Sequence, residues 1–278
     1  MAHGEMELLP VLLQTIDDPR NDIFIHIDLK TDKIFKANTI HSRVHMIENR
    51  VDVRWGDVSQ IETELVLFES ALSSGESYSY FHLLSGVDLP LKSQNHIHKF
   101  FEDHAGKEFI GYSSLEITPE IERKVQRWHL FPRQFRSSNL FVRGLRSGFL
   151  VLQELVGYKR NKDMEFKKGA NWVSVSDGMA RYFVSRKEWL LSTFTHTFCG
   201  DEMAMQTLCW ESPFRDNIYD LTDEWKGNLR LVGWKDGHLS DWTSDEWETI
   251  RNSNALFARK FNNSDQVFIN KVVSLSLK

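Results

Sequence analysis

The chain has 278 residues, of which 41% are hydrophobic and 26% charged, and its net charge is −5. This composition is typical of a globular protein, and no stretch reaches the roughly 18 consecutive apolar residues that span a bilayer. The first residues, MAHGEMELLPVLLQTIDD, lack a basic region followed by an apolar core, so the sequence predicts no signal peptide. Two cysteines, Cys199 and Cys209, indicate reduced thiols rather than a disulfide framework, and we expect a cytoplasmic protein.

The first hundred residues alternate between helical and strand patterns. Such alternation predicts an α/β fold with a mostly parallel sheet. Ligands bind such sheets at the carboxyl ends of the strands. One predicted strand ends at Asp28 and another ends near Asp88, so both residues are candidates for a ligand edge. The predicted elements are a helix at 5–16, strands at 21–28 and 51–55, a helix at 59–72, a strand at 80–84 and a helix at 95–104.

A basic segment, residues 123–168, separates these elements from the second half of the chain. It holds twelve Lys or Arg against three Asp or Glu, so it carries +9 and the rest of the chain −14. The acidic remainder argues against nucleic-acid binding. Contact with the anionic inner face of the cell membrane and a solvated lid over a cleft both remain open for this segment. After it, the patterns predict a strand at 171–176, helices at 177–183 and 200–210, a strand at 228–234 and a helix at 244–252.

The common catalytic fingerprints are absent from this sequence. There is no Walker A motif, GxGxxG, GxSxG or HExxH, and the eleven histidines show no metal-ligand spacing. No strand ends in the Asp-x-Asp pattern that would hold a divalent ion on a diphosphate. The sequence therefore predicts no metal site.

Three segments of the sequence contain candidate catalytic or ligand-binding residues. Asp201 and Glu202 follow Gly200 at a predicted helix start, where a carboxylate acts either as a general base or only as a helix-stabilising acid. Lys260 lies in the segment LFARKF, where a cation reaches a phosphate or is simply solvated. Arg230 is an unusual charge in a predicted strand, which an edge position would also explain.

Five segments of the sequence together resemble those of one known family. The segments IFIHIDLKTD, VRWGDVSQIETEL, YFHLLSGVDLPLKS, CGDEMAMQTL and LFARKF resemble the core-2/I-branching glycosyltransferase family. That family includes β-1,6-N-acetylglucosaminyltransferases and peptide O-xylosyltransferases. The resemblance follows the chain in order from about residue 2 to residue 262 and is weakest across the basic segment.

The resemblance implies a GT-A type nucleotide-sugar-binding fold, a mostly parallel central sheet flanked by helices, and a UDP-sugar donor used without cofactor or metal. It places the catalytic base at Glu202. Lys260, with Arg230 as its partner, would meet the charge of the UDP leaving group. It further implies donor contacts at His26, Asp28, Arg54 and Asp88, and acceptor contacts at Arg123, Arg127 and Asp201.

We therefore predict one glycosyltransferase domain over 1–278. Residues 1–115 form its nucleotide-binding half, 116–170 a basic variable insertion, and 171–278 the catalytic and acceptor half. The predicted reaction is inverting transfer of a sugar, taken as N-acetylglucosamine, from a UDP-sugar to a glycan or lipid-linked saccharide. The alternative is a catalytically inactive sugar- or lipid-binding module that retains the fold. Titration with UDP and UDP-sugars distinguishes the two functions, because a folded protein that binds neither would favour the module.

Overall fold

The computed structural model describes residues 1–2, 6–32 and 35–277. That part of the chain contains eleven α-helices and nine short strands. Glu5, where the first predicted helix begins, lies outside it. The helices are α1 Leu9–Thr15, α2 Ser59–Leu72, α3 Gln94–Asp103, α4 Pro119–Val125, α5 Leu140–Leu155, α6 Asp177–Ser185, α7 Lys187–Phe194, α8 Asp201–Trp210, α9 Glu224–Asn228, α10 Trp247–Arg251 and α11 Gln266–Ser276.

The strands form four small sheets. β1 pairs in parallel with β2, and β6 pairs in parallel with β9. The other three pairs, β3–β5, β4–β9 and β7–β8, are antiparallel. The strands are β1 Asp22–Ile25, β2 Arg43–Met46, β3 Tyr80–His82, β4 Leu89–Pro90, β5 Ser174–Ser176, β6 Arg230–Val232, β7 Trp234–Lys235, β8 His238–Leu239 and β9 Phe257–Arg259.

This mixed α/β architecture agrees with the predicted class but not with one continuous, mostly parallel sheet. Within the described residues, β1 and β3 do not pair with each other, and the two sheets that contain them are joined through Met1 and Ala2. Ala2 pairs in parallel with Ile27, and the carbonyl of Met1 accepts from the N–H of Gly86 at 2.9 Å. The described strands therefore form separate small sheets, and the predicted mostly parallel central sheet is not observed as one sheet.

Most predicted elements lie close to the observed ones, and the helix predicted at 59–72 coincides with α2. The strand predicted at 51–55 is wrong, because residues 51–54 form an irregular segment. β2 at Arg43–Met46 takes the place beside β1 instead. Its side chains are exposed or half-buried, so its sequence carries no alternating apolar pattern that would predict it.

Two of the three apolar clusters in the described residues hold most of these elements together. One packs α2, α6 and α8 against β3 and β5, with Leu65, Phe183 and Met203 among its buried members. The other joins α1 and β1 to α11, so that Leu12 and Val272 share one cluster. Residues from both ends of the chain thus contribute to the same apolar cluster.

Helices in the described ranges are all too short or too polar to cross a bilayer.

Candidate active site

Glu202 lies in the first turn of α8, a helix fixed by its buried face. Met203, Ala204 and Leu208 are almost completely buried in the core. Gly200 precedes the helix at a close approach to Phe194, since a Cβ there would meet the Phe194 ring at 2.8 Å. The side chain of Glu202 remains 36% exposed. The core therefore holds the helix still while the carboxylate faces solvent.

Two lysines contact the Glu202 carboxylate. Lys124 Nζ lies 3.0 Å from Oε2, and Lys168 Nζ lies 4.0 Å from the same oxygen. Glu120 binds both ammonium groups as well, at 2.9 and 2.8 Å. Burial alone would lower the pKa of Lys124, but its bonds to Glu120 and Glu202 outweigh burial, and the net pKa is raised. Glu202 is thus a carboxylate held beside two positive charges, with part of its surface open to solvent.

Asp201 points into the protein, whereas Glu202 faces solvent. We predicted that Asp201 contacts the acceptor, and the structure places its carboxylate in the interior instead. Its side chain is buried, and Gln60 Nε2 donates to Oδ2 at 2.7 Å. Burial and the nearby charge of Glu202 raise the pKa of Asp201 to about 7. Oδ1 of Asp201 and Oε1 of the buried Glu64 have no hydrogen-bond partner in the described part of the chain. Neighbouring acids in the same turn therefore have different environments, and only Glu202 reaches solvent.

The loop before α2 is tied to the start of α8. Gly56 has φ +77°, and a Cβ on it would meet the Phe198 ring at 2.6 Å, so glycine is required there. Its carbonyl accepts from Cys199 N at 2.9 Å, and its N–H donates to Gln60 at 2.6 Å. The sequence motif VRWGD therefore forms one wall of the region that contains Glu202.

Arg259 connects Trp172 to the segment that carries Lys260. The guanidinium of Arg259 lies over the Trp172 ring, 4.3 Å from its centroid. Arg259 Nε also donates to Asp88 Oδ1 at 3.2 Å. The sequence interpretation singled out Lys260 and passed over Arg259, although the adjacent positions in LFARKF were the available signal. Arg259 is therefore a second cation in the segment that carries Lys260, paired with Asp88 rather than with Asp241.

Asp88 shapes the turn that follows β3 and is not exposed to a donor. Its side chain is 1% exposed. Oδ2 accepts from the backbone N–H of Ser85 at 2.9 Å, and Oδ1 accepts from the hydroxyl of Ser85 and from Arg259. We predicted a donor contact at Asp88, and the structure instead places its carboxylate inside the turn. Any influence on a ligand passes through Ser85 and Arg259.

Lys260 follows β9 and has the exposure that a ligand-binding cation requires. Its side chain is 36% exposed, and its Nζ lies 3.4 Å from Asp241 Oδ1. The backbone around it is fixed by two hydrogen bonds, from Trp242 N to its carbonyl and from Phe261 N to the carbonyl of Val87, at 2.9 and 3.0 Å. The backbone of Lys260 is therefore held in place, while its ammonium group is only weakly paired.

Arg230 does not lie where its predicted role requires. Its side chain is 1% exposed, and its guanidinium contacts groups of the protein itself. Nη1 donates to Ser174 Oγ at 2.9 Å and to the carbonyl of Asn228, while Nη2 donates to the carbonyl of Val173 at 2.8 Å. Buried backbone carbonyls at strand ends need hydrogen-bond donors. The Arg230 guanidinium supplies them next to the first residues of β5 and β6 and so connects the two strands. It is not available to a diphosphate in this conformation.

His26 and Asp28 lie at the end of β1, as predicted, but both are buried and already paired. Burial lowers the pKa of His26 to about 4, so the ring is neutral near pH 7. Its Nε2 accepts from the Val51 N–H at 2.8 Å. Asp28 binds Lys30 Nζ at 2.8 Å. These two side chains therefore fix the end of the strand.

The predicted donor residue Arg54 belongs to a cationic group that surrounds Asp52. Arg54, Lys30 and Arg133 contact the Asp52 carboxylate at 2.9, 2.8 and 2.6 Å. These contacts hold the pKa of Asp52 well below its usual range. The side chains of the three cations are between 41% and 55% exposed. Arg133 belongs to the basic segment, so part of that segment lies near the carboxyl end of β1. The charge of the segment alone does not predict this position.

The predicted acceptor residues Arg123 and Arg127 lie away from Glu202. Arg127 is buried and donates to Glu122 Oε1 at 2.7 Å. Arg123 is exposed, with Nε 3.8 Å from Glu154 of α5. Lys124, between them, is the residue that turns toward Glu202. Arg123 and Lys124 are adjacent on α4 and therefore face different directions, whereas Arg127 follows the end of that helix.

In the ranges that the structure describes, no three or more His, Cys, Asp or Glu side chains lie close enough to hold a metal ion.

Known proteins with similar sequences are enzymes that transfer sugars. The chain is 21% identical to the Drosophila melanogaster xylosyltransferase oxt over 300 residues, covering 96% of this chain and 31% of that protein. It is 26% identical to a Bos taurus β-1,3-galactosyl-O-glycosyl-glycoprotein β-1,6-N-acetylglucosaminyltransferase over 133 residues, covering 46% of this chain and 30% of that protein. A Ciona intestinalis xylosyltransferase is 20% identical, with 95% and 32% covered. The chain spans about a third of the length of these curated relatives.

The model of the Core-2/I-Branching enzyme family matches residues 1–259. The chain therefore belongs to this family of glycosyltransferases, which confirms the resemblance carried by the five sequence motifs.

Proposed function

We propose that the protein is an inverting glycosyltransferase that moves N-acetylglucosamine from a UDP-sugar to a glycan or lipid-linked saccharide acceptor. The family supports sugar transfer as the class of reaction. The observation that carries the assignment of the site is Glu202, a half-exposed carboxylate on a fixed helix beside two lysines. We also propose that 1–278 acts as one domain, with its halves joined through the shared core.

In the proposed reaction, Glu202 accepts the proton of an acceptor hydroxyl. The hydroxyl oxygen forms a bond to C1 of the donor sugar from the face opposite UDP. The bond between C1 and the diphosphate oxygen breaks, UDP leaves with the electron pair, and the configuration at C1 inverts. A carboxylate that can accept a proton at the moment of attack lowers the barrier as a general base.

The leaving diphosphate gains negative charge, and Lys260 is the cation that we propose to stabilise it. Its partial exposure and its weak pairing to Asp241 leave Nζ free to approach a phosphate. Arg259 is the nearest additional cation in sequence, and its contact with Asp88 sets its direction. An ammonium group near the departing charge supplies the electrostatic stabilisation that a metal ion provides elsewhere. We therefore propose that the reaction needs no metal.

The donor is proposed to bind along the carboxyl ends of β1 and of the segment after β3. Arg54 is the predicted donor residue with the most exposed charge there, while His26, Asp28 and Asp88 support the backbone. This division of roles follows from burial, because the hydrogen bonds of these buried side chains are already made within the protein.

Release of UDP from a panel of UDP-sugars, with a mixture of saccharide acceptors, tests this function. We expect release to be fastest with UDP-N-acetylglucosamine, to depend on the acceptor and to continue in the presence of EDTA. Tight binding of UDP without release from any donor would favour the non-catalytic module. Loss of release on adding EDTA, restored by a divalent ion, would contradict the proposal that Lys260 replaces a metal.

We further propose that α5 brings the enzyme to the anionic inner face of the cell membrane. Leu140, Phe141 and Leu155 are each more than 70% exposed on this helix, and Arg143 is exposed among them. Apolar side chains next to a cation suit an interfacial helix. We expect the chain to float with liposomes that contain anionic lipid, and a Leu140→Ser, Phe141→Ser, Arg143→Gln variant to lose that association. Equal flotation of both proteins would contradict a role for α5.

A further inference from the structure

Two buried carboxyl groups lie behind Glu202, and the proposed reaction does not use them. Asp201 is 6% exposed and Glu64 of α2 is 1% exposed. Each has one oxygen without a hydrogen-bond partner among the described residues. Buried acids with incomplete pairing lower the stability of a fold, and such groups are concentrated at functional sites. We therefore asked how they are connected to Glu202.

Gln60 links Asp201 to the loop before α2. The N–H of Gly56 donates to Gln60 Oε1 at 2.6 Å, and Gln60 Nε2 donates to Asp201 Oδ2 at 2.7 Å. The carbonyl of Gly56 accepts from Cys199 N at 2.9 Å. Because a backbone N–H only donates, its bond identifies the oxygen of the Gln60 amide and leaves the NH2 group for Asp201. These bonds therefore form a closed ring around the start of α8.

The charge of Asp201 is coupled to the charge of Glu202. Burial, and after it the nearby charge of Glu202, raises the pKa of Asp201 to about 7. The folded chain thus holds this proton more tightly than the unfolded chain, so stability falls as pH rises from 3.8 to about 7. Such coupling is reciprocal, and an ionised Asp201 favours the uptake of a proton by Glu202 by the same free energy.

The other titratable groups that face Asp201 are Glu64 of α2, Lys124 of α4 and the Cys199 thiol. Burial raises the pKa of Glu64 well above its ordinary value, and burial also raises the pKa of the Cys199 thiol, so both groups favour their neutral forms. Lys124 is positively charged and binds Glu120 and Glu202. Asp201 is therefore the group of this set that changes its charge near pH 7.

We propose that Gln60 and Asp201 are positioning residues for Glu202. The Gln60 amide holds the start of α8 against the loop before α2, and the Asp201 carboxylate lies behind the base as a buried negative charge. Both side chains act through Glu202 and contact no substrate. This inference rests on the proposed function, in which Glu202 is the base.

Three variants separate the hydrogen-bonded link from the charge. Asp201→Asn keeps an oxygen for Gln60 but removes the charge, and we expect it to lose the roughly three- to tenfold rise in kcat between pH 6 and pH 8 that the wild-type chain shows. Gln60→Leu removes the link and keeps the charge, and we expect kcat to fall about tenfold at unchanged UDP affinity. Gln60→Glu combined with Asp201→Asn exchanges the amide and the carboxylate, and is expected to recover most of that loss.

Gln94→Leu is the matched control, because Gln94 also bridges two groups of the protein. Its Oε1 accepts from Asn21 Nδ2 at 2.9 Å, and its Nε2 donates to the carbonyl of Thr15 at 3.1 Å. We expect this variant to keep the wild-type kcat at each pH. Equal losses in Gln60→Leu and Gln94→Leu, no recovery by the exchanged pair, or a wild-type pH dependence in Asp201→Asn would each overturn the proposal.

Carboxyl ¹³C NMR measures the coupling between the two acids without turnover. The Asp201 signal is identified by its loss in Asp201→Asn, and its pKa is compared between the wild-type chain and Glu202→Gln. Removing the charge of Glu202 is expected to lower the pKa of Asp201 by about 1 from its value of about 7. An unchanged pKa would overturn the inference. A wild-type chain that transfers no sugar would contradict the proposed function, while a lowered pKa in Glu202→Gln would still support the pairing of these acids.

Discussion

Glu202→Gln is expected to slow sugar transfer by roughly 10²- to 10⁴-fold while leaving UDP binding unchanged. The amide keeps the size of the side chain but cannot accept the acceptor proton. Lys124 and Lys168 keep their contacts with Glu120, so the local structure is expected to persist. The measurement is the steady-state rate of UDP release with acceptor present, together with the affinity for UDP.

Glu120→Gln provides a matched control, because Glu120 binds the same two lysines but lies on α4 with its side chain 58% exposed. We expect this variant to keep most of the activity. If both variants lose activity equally, the lysine network rather than a general base explains the loss. Near-normal transfer by Glu202→Gln would remove Glu202 from the mechanism.

Lys260→Ala is expected to lower kcat by about 10²- to 10³-fold, the range found when one group that stabilises transition-state charge is removed. The charge on the diphosphate grows as the bond to C1 breaks, so the loss should fall more on kcat than on KM. Asp241, its present partner, is half-exposed and is expected to tolerate the change. The measurement is kcat and KM for the UDP-sugar at saturating acceptor.

Lys235→Ala removes an exposed lysine from β7 and controls for a general change in charge. We expect its kcat to match the wild-type value. An unchanged kcat in Lys260→Ala, or an equal decrease in both variants, would show that the leaving group is stabilised elsewhere. Arg259 would then be the next cation to substitute, since it precedes Lys260 and lies over Trp172.

The sequence predicted elements whose signal is local. α2 shows the helical spacing of Ile61, Leu65 and Phe68, and all three are buried. α8 follows a glycine and carries two acids in its first turn, which identified the position of Glu202. Both features depend on residues within a few positions of one another, so a single sequence suffices to find them.

Features that depend on distant contacts were missed or wrongly placed. The guanidinium of Arg230 binds Ser174, 56 positions earlier, and no pattern around Arg230 indicates that partner. Asp201 and Glu202 look equivalent in sequence, and only the packing of α2 against α8 separates their burial. The sequence predicted one mostly parallel sheet, and the described strands form four small ones. Strand pairing depends on contacts between distant segments, which residue periodicity does not specify.

Isothermal titration of UDP into the wild-type chain and the Lys260→Ala variant is the most direct test of the central claim, a UDP-sugar site that uses Lys260. The account predicts one UDP bound per wild-type chain and weaker binding by the variant. A folded wild-type protein that binds neither UDP nor any UDP-sugar would contradict it.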